Sequence, residues 1–192
     1  MRIDEELWAT QQYGVLMSFV HHLAYYRTLS KAYADLQIKS EFWKWTIDAH
    51  ILRAITHWCM LFGADSSKVH WKRVIADDSA QSTFRDHLLD VLGFTHDQWK
   101  AYWSSMTAFR NKYAAHRDPS YPPTPTMDTA LRVVTTYDEW FRNSVSATFD
   151  DPSLRERYDR LIRTSADPLW HAVSLGPTLD QEYEGKKVPP SA

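Results

Sequence analysis

The chain has 192 residues, 44% of them hydrophobic and 24% charged, with a formal net charge of −2. This balance suits one globular domain with a substantial core, and it leaves no global basic field, so any RNA-directed role needs a local basic cleft. The single cysteine, Cys59, excludes an internal disulfide and suits a reducing compartment.

Met1 is followed by Arg2, Asp4, Glu5 and Glu6, which is not a secretory signal. The uncharged stretch from Leu7 to Tyr26 carries Thr10, Gln11, Gln12, Ser18, His21 and His22 and is too polar to span a bilayer. The expectation is a soluble cytoplasmic protein. A first helix is expected from about Asp4 to Leu36, with Val15, Leu16, Phe19, Val20, Leu23 and Tyr26 recurring at three and four residues as a core stripe.

Ser40 and Glu41 open a second helix that reaches Phe62 and closes at Gly63, with Trp45, Ile47, Ile51, Ile55, Trp58 and Phe62 as its apolar face. His50 and His57 share nearly one face, but neither Glu-x-x-His nor His-x-x-x-His occurs anywhere, so no metal is expected. Asp48 flanks the stripe as a carboxylate available to a cation across the bundle. The following segment, Ala64 to Ile75, reads as a loop and a short helix. Lys68, His70, Lys72 and Arg73 give it positive charge, with Trp71 between them. Such a mixture suits RNA phosphates and bases, but the favoured reading is a solvated turn anchored by Trp71.

A third helix spans about Ser79 to Val91 and closes at Gly93. Thr95 then caps a fourth, with Gln98 completing a capping box, and that helix runs to about Ala115. A loop with four prolines, 118–126, follows; it is stiff and directs whatever precedes it. Met127 to about Thr148 forms a further long helix, and Asp151-Pro152-Ser153 begins the last, whose arginines and acids make a solvated face. The expected architecture is an all-α, up-and-down bundle of four or five helices over 1–150, a C-terminal helix packed on it over 151–176, and a mobile tail over 177–192. With five glycines in all, and no glycine-rich phosphate loop, a Rossmann or P-loop fold is excluded in practice.

The fourth helix carries the chemistry. At roughly 100° per residue, Trp99, Trp103, Met106, Phe109 and Tyr113 share an apolar stripe, and Arg110 falls within it. A guanidinium there keeps its charge and must find a carboxylate, a carbonyl or a phosphate; Asp48 is the candidate carboxylate. His116 lies six residues on, near a helix end fixed by Pro119, where the carbonyl end of the dipole favours cations.

Arg110, the polar Asn111, four residues and then His116 reproduce the Arg-polar-x4-His pattern of the HEPN superfamily, and the run Phe109 to Asp118 resembles its abortive-infection proteins in particular. The resemblance covers the motif and the helical architecture of about 1–150. It implies a metal-independent endoribonuclease of toxin or phage-defence type, with Arg110, Asn111 and His116 catalytic and a homodimer joined through the motif end of the bundle. The chemistry agrees that one Arg and one His supply too few groups for the base, the phosphate clamp and the acid. Lys112, Arg117, Lys72 and Arg73 are the candidate RNA contacts. RNA, with transfer RNA as one candidate, is the implied partner, together with an antitoxin or regulatory protein; no DNA, membrane or cofactor is implied. In some HEPN toxins paired with nucleotidyltransferase antitoxins a tyrosine two residues past the histidine is adenylylated; Asp118 stands there, so that control is not expected. The competing reading is a non-catalytic dimeric helical module that binds RNA or a nucleotide.

Overall fold

The structure is a computed structural model that describes residues 4–75, 77–115, 123–144 and 150–175. His116, Arg117, most of the proline-rich loop and the tail at 177–192 lie outside the described residues. What is described is an all-helical bundle with no strand.

The chain enters at α1 (Glu5–Leu7), where the Asp4 carboxylate caps the Leu7 amide at 2.9 Å. It passes without a break through a π-helical turn, Trp8–Gln12, into α2 (Tyr13–Asp35). The expected first helix is therefore interrupted in hydrogen-bond pattern but not in path. After a short link comes α3 (Glu41–Phe62), which packs along α2 and ends at Gly63. A 3-10 turn, Trp71–Arg73, leads to α4 (Asp78–Leu92), closed by Gly93 in the left-handed region at φ 68°, where glycine carries no Cβ penalty. Next is α5 (His96–Phe109), continued by a second π-helical segment, Arg110–Ala115. The last helices are α6 (Met127–Ser144) and α7 (Leu154–Ser174). Ser153 and Glu156 form a capping box at the start of α7.

The core gathers where α2, α3, α4 and α6 meet. Phe19, Trp58, Phe84, Tyr137 and Phe141 are its largest fully buried side chains, and Phe84 and Tyr137 meet edge to face at 5.4 Å. α7 packs along α2 and joins it at a smaller cluster of Leu29, Ala32 and Val173. Asp138 is fully buried on α6: it accepts from Arg142 Nε at 3.0 Å and from the Leu154 amide at 2.9 Å, so it fixes the first turn of α7. Burial pushes its carboxyl up, against the pull of that amide and of Arg142.

Two expectations need correction. Trp45 is not on the buried face of α3 but 50% exposed, because Trp43 and Ile47 are the residues its first turns pack against Leu29 and Ala32 of α2, and Trp45, two residues from each, falls on the opposite side of the helix. Asp48 is not the counter-ion of Arg110, whose neighbours on α3 stand about two turns or more further along. Among the described residues no helix is long and apolar enough to cross a membrane.

Candidate functional site

α5 is held at both ends before it presents Arg110. At its start Thr95 Oγ1 accepts from the Gln98 amide at 3.2 Å, and Gln98 Oε1 accepts from the Thr95 amide at 2.7 Å. Further along, Met106 and Phe109 sink into the core, and Trp103 Nε1 donates to the Phe62 carbonyl at 2.8 Å. That bond ties α5 to the end of α3. Gly63 makes the junction possible: a Cβ there would lie 2.3 Å from the Cys59 carbonyl oxygen.

At Arg110 the helix widens, and Arg110–Ala115 is π-helical. π-helical turns are rare and concentrate at functional sites; this one coincides with the motif. Arg110 is half-buried, its Nε is fully buried, and among the described residues that Nε has no hydrogen-bond partner. The side chain lines a cavity of about 220 Å³ with Thr56, Cys59, Met60, Ser66 and Ser67. The Thr56 hydroxyl donates to the Leu52 carbonyl at 2.8 Å, which leaves two serine hydroxyls and a guanidinium around a small space as an anion-accepting environment. The Cys59 thiol points its hydrogen at the Met106 carbonyl, 3.7 Å away. Burial pushes this thiol up to about 11, although the charge of the Arg110 guanidinium and its hydrogen bond to the sulfur pull the other way. It is therefore a thiol at neutral pH and no nucleophile.

The other motif residues separate. Asn111 and Lys112 are exposed, and Tyr113 packs half-buried on Phe109 with ring centroids 5.2 Å apart. His116 and Arg117 lie outside the described residues. Lys72 and Arg73 sit on the 3-10 turn, where Asp65 holds both: Lys72 Nζ is 2.5 Å from its carboxylate, and Arg73 Nη2 donates to its carbonyl at 3.3 Å. Lys72 holds the Asp65 carboxyl below its ordinary range.

The basic turn is consequently weaker than its composition suggests. His70 contributes no positive charge to it at neutral pH. It is buried, its Nδ1 accepts from the Lys72 amide at 3.4 Å, and burial lowers its pKa to about 4 despite Asp65 nearby. Trp71 anchors the turn in the core, as a solvated basic turn requires.

The segment from Gly63 to Ser67 joins this turn to Arg110. Gly63 and Asp65 line a second cavity, and Ser66 and Ser67 line that of Arg110. The sequence reading missed Thr56, Cys59 and Met60; their i, i+3, i+4 spacing just before Gly63 was the available signal. It also missed that His22 joins His50 and His57. His22 Nδ1 lies 2.8 Å from His50 Nδ1, and its ring stacks on His57 at 5.8 Å. Burial lowers the pKa of all three, that of His22 to about 4, so they pack as neutral rings. Among the described residues no group of three His, Cys, Asp or Glu side chains is arranged to hold a metal. Compared with known proteins, the chain matches no family model, no curated protein and no solved structure at a significant level.

Proposed function

We propose that this chain is a metal-independent endoribonuclease of HEPN type, in a toxin or phage-defence role, acting as a homodimer. The observation that carries the reading is Arg110: a permanent cation in a π-helical turn, its buried Nε unpartnered among the described residues, beside a small hydroxyl-lined cavity. A buried unpartnered donor costs about 1–3 kcal/mol; a phosphate oxygen in that cavity would remove the cost and gain a charge-assisted bond.

In the proposed reaction the 2′-hydroxyl of one nucleotide attacks the adjacent phosphorus. A base removes the hydroxyl proton, and an acid protonates the departing 5′-oxygen. The products are a 2′,3′-cyclic phosphate and a 5′-hydroxyl. His116 takes one of these proton roles, since an ordinary imidazole titrates near neutrality. Arg110 clamps the pentavalent phosphorane, Asn111 orients His116 or donates to a non-bridging oxygen, and Lys112 and Arg117 contact flanking phosphates. The second proton role falls to His116 of a second copy.

A dimer also suits the outer face of α3. Phe42 and Met60 are eighteen residues, five helical turns, apart and so stand on one line of that helix; they are 65% and 37% exposed, with Trp45 beside the line. Met60 lines the Arg110 cavity, so a second copy covering this stripe reaches the motif. The non-catalytic reading draws on a different observation, the neutralisation of Lys72 by Asp65 in a chain of net charge −2.

The test is incubation of the purified protein with total RNA and transfer RNA in EDTA, beside Arg110→Ala and His116→Ala, with mapping of the cleaved ends. Cleavage that survives chelation, leaves cyclic phosphates and disappears in both variants is expected. Equal inertness of folded, dimeric wild type and variants would turn the account to the binding module.

A further inference from the structure

The second cavity, about 160 Å³, lies between the 3-10 turn, α4 and α5 and has no role in the motif chemistry. Beside Phe62, Phe84 and Leu88, its lining includes three indoles, Trp71, Trp99 and Trp103. Two of these are fixed before anything binds: Trp103 is hydrogen-bonded through Nε1 to the Phe62 carbonyl, and Trp71 is buried against Phe84 with ring centroids 5.0 Å apart. Rigid aromatic walls stack a flat ligand at little entropic cost.

Lys72, Arg85 and His96 also line the cavity, with the neutral His70 and the carboxylate of Asp65. Lys72 is committed to Asp65. Arg85 is exposed, makes no ion pair within 4 Å among the described residues, hydrogen-bonds to Gln81 Oε1 at 3.4 Å, lies 5.9 Å over the Trp71 ring, and feels the charge of Asp65 across the cavity only at longer range. It is the cation available to an incoming anion. A flat aromatic body with an attached negative group is what this arrangement complements, and a nucleotide has both parts: a base for the indoles and a phosphate for Arg85.

Position adds a second argument. Trp99 and Trp103 on α5 and Arg110 directly past its end follow one another at intervals of four and seven, one face of the helix, and Trp103 precedes Arg110 by about 10 Å along the axis. The segment from Gly63 to Ser67 lines both cavities. A short stretch of single-stranded RNA spans that distance.

The geometry points to the cavity of Trp71, Trp99 and Trp103 as a site for one unstacked nucleotide, its base against the indoles and its phosphate at Arg85. The nucleotide is either free or part of an RNA chain whose phosphate further along reaches Arg110. Only the second source rests on the ribonuclease reading.

The test uses the full chain in EDTA. Tryptophan quenching is titrated with adenosine and guanosine monophosphates and, separately, with a single-stranded oligoribonucleotide carrying 2′-O-methyl groups so that it is not cleaved. Trp99→Leu and Arg85→Gln are compared with wild type after their melting curves are checked. Arg85 is exposed, so its variant keeps the fold even if Trp99→Leu does not. Saturable quenching weakened roughly tenfold or more in Arg85→Gln, and unchanged in Arg110→Ala for the mononucleotides, is the expected result. Mononucleotide binding assigns a free nucleotide; binding of the oligonucleotide alone assigns an RNA chain. No saturable binding of either probe, or binding that Arg85→Gln leaves unchanged, overturns the proposal. Nucleotide binding without RNA cleavage leaves this site standing and removes the nuclease; cleavage that Arg85→Gln and Trp99→Leu do not slow, with no nucleotide binding, does the reverse.

Discussion

The two π-helical turns of this molecule, Trp8–Gln12 and Arg110–Ala115, each set a polar side chain among apolar neighbours, and they end differently. Gln12 is fully buried and engaged at both ends of its amide. Nε2 donates to the carbonyls of Val69 and His70, at 3.2 and 2.9 Å, and Oε1 accepts from Tyr137 Oη at 2.6 Å. Arg110 has a buried Nε with no partner among the described residues and a cavity beside it. A satisfied buried group holds a fold together; an unsatisfied one is tolerated where something outside the chain completes it. The first turn is therefore read as architecture and the second as a site.

Substitutions on the two sides should separate accordingly. Gln12→Leu has the largest expected effect, since it strands the Tyr137 hydroxyl and leaves two backbone carbonyls without their donor, about 3–5 kcal/mol in total. Thermal unfolding should show this as a loss of about 10 °C or more. Tyr137→Phe strands only one lone pair of Gln12 and should cost about 1–2 kcal/mol. A double-mutant cycle between the two should report positive coupling, and additive losses would break the claim that they act as one unit.

Acid gives a smaller and more diffuse effect, on the architectural side. Burial holds His70, whose carbonyl accepts from Gln12, and His22 to about 4 against an ordinary 6.5. Between those values the unfolded chain binds protons that the folded chain refuses. Stability is fully present above pH 6.5 and falls as the pH drops towards 4. Melting temperatures at pH 7 and pH 5 should differ by a few degrees in that direction, and His22→Asn should flatten the slope.

The helix ends were legible in the sequence because their signals are local. Ser40, Gly63, Gly93, and Thr95 with Gln98 each stand within one turn of the end they mark, and the structure places boundaries at all of them, although the Ser40 hydroxyl makes no capping hydrogen bond. Arg110 was legible as an anomaly because a charge within an apolar stripe violates a local period. The π-helical turns were not, because a widened turn departs from the 3.6-residue period by which helices are read. The partners of Gln12 were hidden for another reason: Tyr137 is 125 residues away, and no periodicity encodes a contact at that separation. Asp138 was hidden likewise, since it reads as one acid on a helix until α7 is seen to begin on it. Trp45 misled because large aromatics fit the apolar stripe whether or not a neighbouring helix covers them.

The most direct test of the contrast is Arg110→Met, which keeps the apolar stem and removes the guanidinium. Its melting temperature and its rate of RNA cleavage in EDTA are measured on the same preparation as wild type. The account predicts a melting temperature within about 2 °C of wild type, or above it, because a buried unpartnered donor has been removed. It predicts cleavage slower by about a hundredfold or more, because the clamp on the phosphate is gone. A fall in melting temperature on the scale of Gln12→Leu, with cleavage unchanged, would contradict it and make Arg110 a second structural polar group.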